Sequence, residues 1–167
     1  MNTKHTLFIF SVFFLFACTN LSENAIKYND QIISQQQKIV SLFNKLDSSF
    51  ADTVNHSFKL IHHELLQEIE YQIKNIDSIP NFDNKDRFKQ EYKTLLTVYH
   101  DVVKNDYSKM IELYMLPDSF YTQNVKDDFL QTNKIANEKL QQALNKFIEV
   151  QKQFAKEYKF NLLDQNE

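Results

Sequence analysis

The side chains able to do chemistry are few and widely spaced along this 167-residue chain. The densest group is His62-His63-Glu64. Adjacent residues on a helix point about 100° apart, so His62 and His63 cannot grip one ion. After Glu64 come Leu65, Leu66 and Gln67, so the zinc-peptidase HExxH pattern is absent. His56 and His63 share a face seven residues apart, but that face points to solvent and offers at most a weak, exposed metal pair. His56, His63 and His100 are expected at the surface, where single histidines are common.

Four other polar residues interrupt apolar stripes. Gln36 lies between Ile32 and Ile39, His62 beside Ile61 and Leu65, and Asp106 between Val103 and Met110. Asn133, with Thr132, breaks the run from Phe129 to Ala136. At 100° per residue each points inward, as does Gln72. Counting from the turns near Pro80 and Pro117 brings the four to neighbouring levels. Two chemistries fit such a zone. One is a small site for a metal, a heme or an apolar ligand inside a bundle. The other is a polar layer that fixes helix register, the preferred reading because such layers are well attested. A di-iron centre needs Glu-x-x-His on two helices, a pattern the chain lacks. A zinc centre needs three or four converging ligands, and here only His62 and Asp106 qualify. No nucleophile–base pair emerges from the spacings, so a non-enzymatic protein without metal or cofactor is expected.

The elements that must position these residues follow from periodicity. Apolar residues recur at steps of three and four in four runs, beginning at Ala25, Val54, Phe88 and Val125. Each is a helical stripe with no strand alternation. Asp47-Ser48-Ser49 and Asp52 break and recap the chain between the first two runs. Ser78-Ile79-Pro80 ends the second, because the residue before proline disfavours helix. Asp83 or Asn84 can cap the third run and Thr122 or Asn124 the fourth. The spacing predicts four helices of roughly 25 to 38 residues, some 40–55 Å long. With short connections, the fold class is all-α, an antiparallel up-down-up-down four-helix bundle with long helices. Tyr92, Tyr99, Tyr107 and Tyr114 form an aromatic stripe of the kind that is usually core, with Tyr107 off to one flank, where exposure is open to it. The apolar loop of Leu116, Pro117, Phe120 and Tyr121 is expected to cap the core's open end; if exposed, it would meet a partner or a membrane.

Composition narrows the function further. The chain has no glycine, no tryptophan, two prolines and fifteen phenylalanines. Without glycine there is no phosphate-cradling loop, dinucleotide fingerprint or nucleophile elbow. Lys plus Arg total 19 against 22 Asp plus Glu, a net charge of −3, and no basic tract marks a nucleic-acid surface.

The amino-terminal sequence is MNTKHTLFIFSVFFLFA, followed by Cys18, the only cysteine. Lys4 and His5 supply a positive start. Residues 7–16 are apolar except for Ser11, shorter than the roughly 20 residues a membrane span needs. The segment Leu15-Phe16-Ala17-Cys18 resembles the lipobox of bacterial lipoproteins, departing from it at Phe16, where smaller residues are usual. That resemblance implies cleavage before Cys18 and acylation of its thiol and new amino group. Residues 1–17 are then a signal peptide, 18–24 a lipidated polar tether and 25–163 the bundle. A weaker likeness lies in Ala25-Ile26-Lys27-Tyr28-Asn29-Asp30-Gln31-Ile32-Ile33, running into Gln36 and Ile39, which resembles the opening of some small helical surface lipoproteins of unknown function. The expectation is a membrane-anchored, periplasmic or surface-exposed envelope protein that binds a protein partner or serves a structural role. The alternative is a metal-, heme- or small-ligand-binding bundle.

Overall fold

Residues 13–50 and 57–162 are described in a computed structural model, with side chains from Leu21 onward. The leader through residue 12, the side chain of Cys18, and Asp52, Val54 and His56 therefore lie outside the described residues. Helix α1 spans Phe13–Ser49, and α2 spans Phe58–Asn75 with a 3-10 turn at Ile76–Ser78. Next come α3, Arg87–Asp101, a π-helical turn at Val102–Tyr107 and α4, Ser108–Tyr114, without a break in the rod. A short 3-10 turn at Asp118–Phe120 leads to α5, Gln123–Glu157. The described residues thus form an all-helical bundle of four rods, with no strand. No described helix is long and apolar enough to cross a membrane. The segment read as a tether, 18–24, has helical backbone continuous with α1; it contains no proline or glycine that would stop the helix.

The predicted stripes form the core. Ala25, Tyr28, Ile32, Ile39, Phe43 and Leu46 of α1 are buried, as are Leu65, Ile69 and Ile76 of the second rod. From the third rod come Phe88, Tyr92, Leu95, Leu96 and Tyr99, and from α5 Ala136, Phe147 and Phe154. Aromatic rings fill the bundle from end to end. At the near end Tyr28 packs on Phe82 and Phe154 at centroid distances of 5.3 and 5.8 Å. Midway, Tyr92 meets Phe147 at 5.6 Å, and Phe43 meets Tyr99 at 5.3 Å. At the far end Phe50 stacks on Phe58, with Tyr114 and Phe129 edge-on to it. Offset and edge-to-face pairs of this kind each add about 0.5–1.5 kcal/mol beyond area burial.

Helix ends manage without glycine. Thr122 Oγ1 accepts from Val125 N at 3.4 Å as the cap of α5, one of the two caps expected. At its other end Lys159 adopts φ 57°, and Phe160 N reaches back to Ala155 O at 3.0 Å. This is the six-to-one bond of a Schellman ending, with lysine where glycine is usual. Asp86, φ 46°, opens α3 in the same left-handed region. Each such residue carries roughly 1–2 kcal/mol of strain that surrounding contacts must offset.

Two expectations fail, for physical reasons. Tyr107 is 1% exposed and donates to Asp47 Oδ1 at 2.8 Å. The wheel that put it on a flank assumed a constant α step, whereas a π turn accommodates about one extra residue and rotates Tyr107 into the core. The loop after α4 does not cap the core, a task already done by Phe50, Phe58, Tyr114 and Phe129. Phe120 is 65% exposed, and Met115 and Tyr121 are exposed beside it.

Candidate functional site

The four polar residues expected to point inward all face structural partners, and no hydrogen bond or ion pair joins any two of them. Gln36 is buried and donates from Nε2 to the Tyr99 hydroxyl at 3.3 Å. Asp106 accepts from Lys139 Nζ at 2.8 Å; Asp101 lies 3.3 Å from the same nitrogen. The Asp106 hydrogen bond, against some desolvation and with help from Asp101, holds the Lys139 ammonium above its ordinary pKa. In an α-helix, residues five apart point well away from each other; the π turn lets both carboxylates meet one amine. Asn133 is half-buried, and its Oδ1 accepts from Asn137 Nδ2 at 3.0 Å on the exposed side of α5.

Among the described residues, His62 makes the one contact that resembles catalytic machinery. Its Nε2 lies 3.3 Å from Ser108 Oγ, the geometry of a serine–base pair. The same nitrogen lies 2.8 Å from the Val103 carbonyl oxygen. A carbonyl only accepts, so Nε2 must carry the hydrogen and donate. A nitrogen bearing that hydrogen cannot take a proton from serine. His62 instead satisfies a backbone carbonyl in the π turn.

Two polar layers cross the interior. In the first, Gln72 Nε2 donates to Gln35 O at 3.0 Å and to Glu68 Oε1 at 2.7 Å. Its Oε1 accepts from the Tyr92 hydroxyl. Burial pushes the Tyr92 and Tyr99 hydroxyls above the usual tyrosine range. The layer ties α1, α2 and α3 together at one height, as a register-setting layer would. Gln72 and Gln36 were visible from the stripes. In the second, Gln151 Nε2 donates to Asn29 Oδ1 at 2.8 Å, joining α5 to α1. This pair was missed, although Asn29 falls four after Ala25 and Gln151 falls between Phe147 and Phe154.

A third cluster, also unforeseen, holds the loop between the second and third rods. Tyr28 donates to Asp86 Oδ1 at 2.9 Å. Asp86 Oδ2 sits 3.1 Å from Lys89 Nζ, an ion pair with both side chains nearly fully buried. That oxygen has no aligned hydrogen bond, so the attraction there is Coulombic. Lys89 Nζ donates instead to Ile79 O at 2.9 Å and to Asn81 Oδ1. Asp83 accepts from the backbone of Lys85 and Asp86 and from the Tyr158 hydroxyl. Burial alone would raise the Asp83 carboxyl, but these donors outweigh it and hold its pKa below the ordinary value. The sequence had marked Asp83 or Asn84 as the cap of the third rod, but the cap position falls at Asp86.

Beside this cluster lies a cavity of about 20 Å³ lined by Tyr28, Phe82, Asp86 and Phe154 among others. It has room for about one water molecule. Its charged lining, Asp83, Asp86 and Glu157 against Lys85 and Arg87, nearly balances and gives little drive to bind an ion. Among the described residues no three His, Cys, Asp or Glu side chains are placed to hold a metal. No family model, curated protein or solved structure matches the chain.

Proposed function

We propose that this chain is a lipid-anchored, non-enzymatic interaction module of the cell envelope, periplasmic or surface-exposed. Acyl chains on Cys18 hold it to a membrane, and an up-down-up-down bundle offers its far end to a protein partner. Contact order along the rods supports the antiparallel arrangement. From the near end to the far end, α1 leads from Tyr28 to Phe50, just past its last residue, and the third rod from Phe88 to Tyr114. Against them, Gln72 meets Gln35 while Phe58 meets Phe50, and Phe154 meets Tyr28 while Phe129 meets Phe50. The anchor would sit at the near end, where α1 begins. Two or more acyl chains, each CH₂ adding about 0.8 kcal/mol, suffice for stable attachment.

The observation that carries the interaction role is the loop at the opposite end. Backbone bonds Phe120 N to Pro117 O at 2.8 Å and Tyr121 N to Asp118 O at 3.1 Å fix its shape. That fixed shape holds Phe120, Met115 and Tyr121 in solvent. Three exposed apolar side chains gathered on one ordered loop form a patch of the kind that marks a contact site, unlike the apolar side chains exposed elsewhere along the helices, such as Leu60 and Leu130. The assignment of His62 Nε2 as a donor supports the non-enzymatic part of the reading. The alternative of a metal, heme or small-ligand site at Gln36, His62, Asp106 and Asn133 gains no support, since each is held by a structural partner.

Two measurements test the proposal in cells making the full chain. Cys18→Ser should move the protein from the membrane to the soluble fraction; unchanged partitioning refutes the anchor. A photo-crosslinking residue at position 120 should give discrete protein adducts that the same probe at Gln141, exposed on α5, does not. Equal labelling at both positions would remove the loop's role.

A further inference from the structure

We draw no further inference here: the strongest candidate, the exposed apolar loop 115–121 at the far end of the bundle, already belongs to the proposed function, and nothing in the structure shows what covers it.

Discussion

Lys89 and Asp86 illustrate how much a single pair can depend on its partner. Removing one member of a buried ion pair leaves an uncompensated charge and costs about 3–5 kcal/mol. Lys89→Met should therefore lower the urea midpoint strongly. Adding Asp86→Asn should recover much of the loss, because the stranded charge disappears. Strictly additive losses would mean that the two side chains act independently. Asp83 gives a pH signature. Its folded pKa lies below the unfolded value of about 3.8, so its contribution is present above that value. The contribution is lost as pH falls through the depressed folded pKa. Asp83→Asn should flatten the acid limb of a stability-versus-pH curve below about pH 4, and an acid limb identical to wild type would count against the assignment.

At the level of elements, the π turn decided what could be read beforehand. Stripes at steps of three and four located all four rods, because burying an apolar face is the main force that places a helix. Gln36 and Gln72 were legible for the same reason. The burial of Tyr107 was not legible because the extra residue of the π turn leaves no mark in composition and shifts every later position on the wheel. Lys89 was overlooked for a different reason. A lysine on a stripe normally reads as solvated surface, and the acceptors that allow its burial, Ile79 O and Asn81 Oδ1, come from a loop whose course has no periodicity. The turn also makes a prediction. Deleting Asn105, which is exposed, should convert the π turn to ordinary helix and leave the flanking stripes in register. Deleting Thr94, exposed within α3, should rotate one half of the rod against the other. Thermal melts followed by circular dichroism should show the Asn105 deletion folded and the Thr94 deletion far less stable; equal losses would contradict this account of the turn.

For the molecule as a whole, the proposed arrangement is a stiff spacer. Its longest fully described helix, α5, has 35 residues and spans about 52 Å at 1.5 Å per residue. One end would be fixed by lipid and the other would present an aromatic loop some 50 Å away. Such a shape suits reaching a partner across a gap better than enclosing a substrate. Truncating Phe120 should accordingly leave stability within about 0.5 kcal/mol of wild type in urea while abolishing contacts made at the far end. A large fall in stability would instead make the loop part of the core.

The bond between Gln151 and Asn29 joins residues 122 positions apart, whereas the first three rods are linked through partners much closer in sequence. Loop-closure entropy makes distant contacts slow to form. The closing of α5 over α1 is therefore expected late, after neighbouring rods have paired. Gln151→Ala should then quicken unfolding while barely slowing refolding in stopped-flow traces. A matching slowdown in refolding would place the seam in the nucleus. The seam between the first and last rods is thus where the molecule would begin to open.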